Sequence, residues 1–128
     1  MPELEKRALI IEDDESISYL LSFLLQKAGF STSVADDGAK ALKLIDSAAR
    51  PHLVILDAML PFQDGFTLLE HLRSKPDWID VPVLMLTAKS MESDMLRGLN
   101  GGANDYMVKP FQPNEFLIRV KRICKTMS

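Results

Sequence analysis

The chain has 128 residues, 47% of them hydrophobic and 26% charged, with 15 Lys and Arg against 18 Asp and Glu for a net charge of −3. This is the length and balance of one compact globular domain, and with no dominant basic face it argues against direct nucleic-acid binding. No apolar run reaches membrane-spanning length, the start MPELEKR lacks the apolar core of a signal peptide, and the single cysteine, Cys124, excludes an internal disulfide and fits a reducing cytoplasm.

Residues Ala8 to Ile11 read as a short buried strand that runs into the acids Glu12 and Asp13. Residues 15–28 then place Ile17, Leu20, Leu21, Leu24, Leu25 and Ala28 at helical spacing, with Gly29 as a C-terminal stop. Phe30 to Val34 is a weaker, Ser/Thr-rich strand, and Asp36-Asp37-Gly38 reads as turn and cap chemistry. Ala39, Leu42 and Ile45 mark a second helix, ended before Arg50-Pro51. His52 to Leu56 is a third strand, followed by a helix marked by Phe66, Leu68, Leu69 and Leu72. Val81 to Leu86 is a fourth strand, with Pro82 tolerable only near its start. Met91, Met95 and Leu99 predict a fourth helix and Tyr106 to Val108 a short fifth strand. Phe116, Leu117, Val120 and Ile123 close the chain as an amphipathic helix, where Lys121, Arg122 and Lys125 complement the helix dipole. Cys124 shares the apolar stripe with Val120, Ile123 and Met127 and is expected to pack rather than react.

Five alternating strand–helix units predict an α/β fold, a parallel sheet covered on both faces. The first, third and fourth strands are nearly all apolar, as strands buried on both sides are, whereas the second is half polar and the fifth short. Edge positions for those two give the order 2-1-3-4-5, a flavodoxin-like (βα)5 three-layer sandwich. The domain is expected to span 1–128, with its core over about 8–124. In this order the chain reverses direction between strands 1 and 3, and ligands collect there beyond the carboxyl ends of the strands.

Glu12, Asp13, Asp57, Thr87 and Lys109 all fall at or just past those strand ends. Crowded carboxylates repel and raise one another's pKa unless a cation intervenes. An oxygen-only set without His or Cys favours Mg²⁺ over zinc. Lys109 offers a point charge with three donors, Thr87 a hydroxyl, and an Asp carboxylate can itself take a phosphoryl group as an acyl phosphate. Each residue also has an ordinary reading: Asp13, Asp14 or Glu15 as a helix cap, Thr87 as a turn residue, Lys109 as a surface lysine. Taken together those readings weaken, because all the positions share one edge of one sheet. His52 and His71 show no ligand spacing with each other or with Cys124.

From Ala8 to Cys124 the chain resembles a bacterial two-component response-regulator receiver domain of the chemotaxis-regulator type. The resemblance is carried by Leu9-Ile10-Ile11-Glu12-Asp13-Asp14-Glu15 and by Leu53-Val54-Ile55-Leu56-Asp57 leading to Leu60-Pro61 and Asp64-Gly65. Leu86-Thr87-Ala88, Gly102-Ala103-Asn104-Asp105-Tyr106 and Lys109-Pro110-Phe111 complete it. Each motif alone is weak; in this order and spacing they are highly specific.

The resemblance implies a signalling switch in a phosphorelay rather than an enzyme acting on a separate substrate. Asp57 would accept a phosphoryl group from a phosphohistidine of a histidine kinase or a histidine phosphotransfer protein. Asp13, Asp57 and the Met59 carbonyl would bind Mg²⁺, or Mn²⁺ in its place, with Glu12 holding a metal-bound water and Asp14 in an outer role. Thr87 and the Ala88 N–H would bind phosphoryl oxygens, Lys109 would pair with their charge, and Lys109-Pro110 would be cis. Thr87 would then move toward the phosphoryl group and an inward-turned Tyr106 would fill the space. The face of the fourth helix, fifth strand and fifth helix would change shape to control an effector or output domain. The other reading of Tyr106 is an edge-strand aromatic with its hydroxyl in water.

Departures from the family pattern carry information too. Phe62-Gln63 stands where Gly-Met is frequent, and Met59 and Lys89 occupy positions that tune phosphoryl lifetime without an acid or amide to position water. Slow to intermediate self-dephosphorylation is expected. Asp105 and Arg119 can supply one charge pair of the kind that joins dimers through that face, but Met95 and Asn100 replace the charged partners. A monomer, or a weak phosphorylation-dependent dimer, is the expectation. The alternative class is a Mg²⁺-dependent aspartyl-phosphate phosphatase or phosphotransferase. It is disfavoured because Asp57-Ala58-Met59 lacks the second acid of a D-x-D element and no inserted cap encloses a substrate.

Overall fold

The computed structural model describes residues 6–47, 49–60, 63–88, 96–97 and 99–124, with the backbone alone at 63. Five strands form one parallel sheet: β1 (Lys6–Ile11), β2 (Phe30–Ala35), β3 (Leu53–Asp57), β4 (Val83–Thr87) and β5 (Asp105–Val108), in the order β2-β1-β3-β4-β5. Helices α1 (Glu15–Lys27), α2 (Gly38–Ser47), α3 (Gly65–Arg73) and α4 (Pro113–Ile123) cover it. A two-residue antiparallel ladder, Met59–Leu60 with Gln63–Asp64, follows β3, and a 3₁₀ turn spans Pro76–Trp78. The helix expected from Met91 and Met95 lies mostly outside the described residues, as do Pro61, Phe62, Lys89, Lys125 and Met127; Leu96, Arg97, Leu99 and Asn100 are helical.

Alternate side chains of the central strands feed two separate cores, as a sheet buried on both faces requires. Leu9, Ile11, Val54, Leu56, Val83 and Met85 pack with Ala41, Ile45, Leu68, Leu69 and Leu72 of α2 and α3. Ala8, Ile10, Leu53, Ile55, Leu84 and Leu86 pack with Leu21, Leu24, Leu25, Phe116 and Val120 of α1 and α4. Local chemistry sets the helix ends. Asp14 and Asp64 accept from the N–H groups of Ile17 and Phe66, Pro113 opens α4, and Gly29 takes φ +99 after α1.

The periodicity reading needs small corrections. Leu20, Ala28 and Ala39 are exposed, while Ser18 and Ala41 take buried slots instead. Ser18 can do so because its hydroxyl donates to the Glu15 carbonyl at 3.1 Å. His52, Val81 and Pro82 precede their strands; Pro82 has no N–H for the ladder but its carbonyl accepts from Val54. Asp57, Thr87 and Asp105 belong to the strands themselves.

Gly65 marks where α3 presses on the sheet. A Cβ there would lie 2.2 Å from the Asp57 carbonyl oxygen and 2.7 Å from Ala58 Cα, both backbone atoms that cannot swing aside. Gly65→Ala is therefore expected to destabilise the fold by about 1–3 kcal/mol, read as a lower urea midpoint with an unchanged slope.

Candidate functional site

Sheet register brings the strand ends level. Ile11 pairs with Leu56, so Glu12 comes beside Asp57; Asp57 pairs with Leu86 and Thr87 with Val108, so Thr87 and Lys109 follow at the same edge. Among the described residues the buried polar or charged side chains are Glu12, Ser18, Asp57 and Thr87, and three of these four are at this edge. Asp13 lies exposed at its mouth.

Lys109 is the centre of the arrangement. Its Nζ donates to Glu12 Oε1 at 2.7 Å and to Asp57 Oδ2 at 3.3 Å, with its side chain only 16% exposed. The surface reading of Lys109 thus does not hold. Its N–H donates to the Thr87 carbonyl at 2.6 Å, and the Lys109-Pro110 bond is cis as expected. The free oxygens of the two acids are also held: Glu12 Oε2 accepts from Asp14 N–H at 3.1 Å and Asp57 Oδ1 from Met59 N–H at 3.0 Å. Asp14 itself caps α1 through Oδ1.

Burial pushes the Glu12 carboxyl up to about 7; the hydrogen bond from Lys109 pulls it down, and neighbouring Asp57 pushes it up again. Burial works against the Lys109 ammonium, but its bond to Glu12 and the Asp57 charge outweigh this and raise its pKa. Carboxylate oxygens of Glu12, Asp13 and Asp57 lie within 4.8 Å of one another. An all-oxygen donor set in which burial, helped by a neighbouring carboxylate, holds one acid back from ionising fits a hard divalent cation.

The Met59 side chain and Ala88 are exposed beside the site. Tyr106 is 4% exposed and packs in the α2–α3 core, opposite Met85 in the ladder and two residues behind Thr87, so the reading with its hydroxyl in water is not what the fold adopts. Arg119 pairs with Asp105 within this chain, at 2.9 and 3.0 Å, and with Glu115. His71 meets Asp46 at 2.8 Å and His52 Nδ1 accepts from Arg7 N–H, both away from the site. Burial pushes the Cys124 thiol up to about 11, in keeping with a packing role. Sequence reasoning did not single out Arg73, whose contacts emerge only from the fold.

A parallel five-stranded sandwich with an acid cluster and a lysine bonded to it at the carboxyl edge defines a class of phosphoryl-responsive signalling domains. The family model for the response regulator receiver domain matches residues 8–121. The chain is 43% identical over 122 residues to the alkaline phosphatase synthesis transcriptional regulatory protein PhoP of Bacillus subtilis, covering 95% of this chain and 50% of that protein. It therefore spans about half the length of the curated relatives it matches. In structure it is similar to the chemotaxis response regulator CheY4 of Vibrio cholerae, with a TM-score of 0.87 and 31% identity over 94% of this chain and 99% of that one. It is also similar to the receiver domain of a Pseudomonas aeruginosa sensor histidine kinase with a magnesium ion coordinated in its active-site cleft, at TM-score 0.84 and 25% identity over 95% of this chain and 99% of that one. The chain belongs to the response-regulator receiver family.

Without metal, folded Glu12 keeps a proton that the unfolded chain releases above its ordinary value of 4.5. The folded state then binds more protons than the unfolded one between about 4.5 and 7, so stability falls as pH rises through that window. In EDTA the unfolding free energy is expected to drop there by about 1–3 kcal/mol, a drop absent in Glu12→Gln, as pH-dependent urea titrations would show.

Proposed function

We infer that residues 1–128 form a single receiver domain whose only chemistry is on itself: phosphorylation of Asp57 and its slow hydrolysis. The observation that supports this best is the convergence of Glu12, Asp13, Asp57, Thr87 and Lys109 at one sheet edge. An Asp57 carboxylate oxygen attacks the phosphorus of a phosphohistidine; the N–P bond breaks and its electron pair stays on the imidazole of the kinase or phosphotransfer protein. The product is an acyl phosphate on Asp57.

The neighbours divide the work by their chemistry. Lys109, already bonded to Asp57, follows the added charge with three donors that can turn toward phosphoryl oxygens. Thr87 and the Ala88 N–H donate to the same oxygens, and the Met59 N–H holds the other face of the acceptor carboxylate. Glu12, Asp13, Asp57 and the Met59 carbonyl are the residues that would hold Mg²⁺ or Mn²⁺, with Glu12 through a water. When bound, the ion supplies countercharge for carboxylate and phosphoryl oxygens together.

Phosphorylation adds nearly two negative charges beside Thr87. Thr87 moves toward them, Tyr106 adjusts from its inward position, and the face around β5 and α4 presents a new surface to an effector or output domain. The intrachain Asp105–Arg119 pair lies on that face, so dimerisation there must share or displace it. Neither the acidic composition nor any described helix suggests a nucleic-acid or membrane role for this chain, and we place it in the cytoplasm beside its kinase.

Intact-mass measurement after incubation with acetyl phosphate and Mg²⁺ tests the reading. One phosphoryl adduct is expected in the wild type, and none in Asp57→Asn or with EDTA. A wild type that takes up neither the phosphoryl group nor beryllofluoride would sink it.

A further inference from the structure

Arg73 ends α3, where a basic side chain ordinarily just faces the last carbonyls of its own helix. Here its guanidinium reaches two other segments. Nη1 donates to the carbonyls of Val81 at 2.7 Å, Trp78 at 2.9 Å and Ile79 at 3.2 Å. Nε and Nη2 together grip the Gly102 carbonyl at 3.0 and 2.7 Å, and Nη2 also donates to Asn104 Oδ1 at 3.0 Å. All of these acceptors are neutral, and the planar fork of an arginine is what lets one side chain bond on both edges.

These acceptors stand where β4 and β5 begin. Val81 precedes Val83, while Gly102 and Asn104 precede Asp105. Asn104 closes the link: its N–H donates to the Val83 carbonyl at 2.8 Å and its Oδ1 accepts from Val83 N–H at 2.9 Å. Gly102 is shaped for the grip, with φ +106 and room so limited that an added Cβ would lie 3.1 Å from Arg73 Nε.

Register is what such a clamp protects. β5 has four residues and a neighbour on one side only. Slippage by one residue would turn every β5 side chain to the opposite face and carry Tyr106 out of the α2–α3 core. Short edge strands resist this poorly through ladder bonds alone.

We propose that Arg73 is a positioning residue of the switch: it pins the entries of β4 and β5 together, so that displacement of Thr87 at the far end is answered by the Tyr106 side chain and not by slippage of β5. This rests on the Thr87–Tyr106 reading given above.

The chain has two tyrosines, Tyr19 exposed on α1 and Tyr106 buried, so 3-fluorotyrosine labelling gives a two-line ¹⁹F spectrum with an internal reference. Wild type titrated with beryllofluoride and Mg²⁺ is expected to shift the Tyr106 line and leave Tyr19 in place. Arg73→Met is expected to bind beryllofluoride as wild type does, because Arg73 makes no contact with the acid cluster, yet to lose about fivefold or more of the Tyr106 response. Arg73→Lys keeps the stem and charge without the fork and is expected to match Arg73→Met; should the methionine variant not fold, the lysine variant decides. Full Tyr106 response in a variant that binds beryllofluoride would overturn the proposal. A wild type that binds beryllofluoride without any Tyr106 shift would instead remove the switch reading beneath it.

Discussion

Two acids, Glu12 and Asp57, are buried side by side, and the site depends on the Lys109 ammonium that bonds to both. Desolvation, and to a lesser degree the neighbouring Asp57, oppose charging Glu12, and a buried charge with no partner is far more damaging than a paired one. Lys109 offsets part of that opposition, and backbone N–H groups of Asp14 and Met59 take up one further oxygen of each acid. The compensation is incomplete, as the raised Glu12 pKa shows. A site left short of positive charge has an appetite for cations, and one whose lysine is already shared can redistribute it when a new anion arrives.

That arrangement is a consequence of register more than of any single residue. Four strands each stop within a residue of the neighbour they pair with, and Glu12, Asp57, Thr87 and Lys109 sit at or one residue past the stop. The apolar runs before them do the positioning, since both faces of β1, β3 and β4 are buried and a slip would expose a whole row of side chains. Gly65 adds a second constraint from behind, letting α3 begin against the backbone of Asp57 and Ala58.

Strand order and the acid edge were legible because apolar runs, their polar stops and the contrast between central and edge strands are all local properties of the chain. Leu20 and Ala39 were misplaced because helical period locates a stripe but not its borders, and Ser18 took a buried slot through a bond to its own helix. Lys109 alone gave no sign of its bonds to residues 97 and 52 positions away; only the topology supplies them. The resemblance named the roles, and register explains why the residues can meet. The Arg73 contacts were invisible for a further reason, since all but one of their acceptors, Asn104 Oδ1, are backbone carbonyls, which every residue has.

The sheet also divides the interior into two cores that share strands but no side chains. Residues on opposite sides touch different partners, and changes at such sites combine almost independently in their effect on stability. Tyr106 and α3 belong to one side, whereas α1 and most of α4 belong to the other. A lineage carrying this fold can therefore remodel the layer around the responsive tyrosine while the opposite layer keeps its own packing, and two protein surfaces can evolve at different speeds on one sheet.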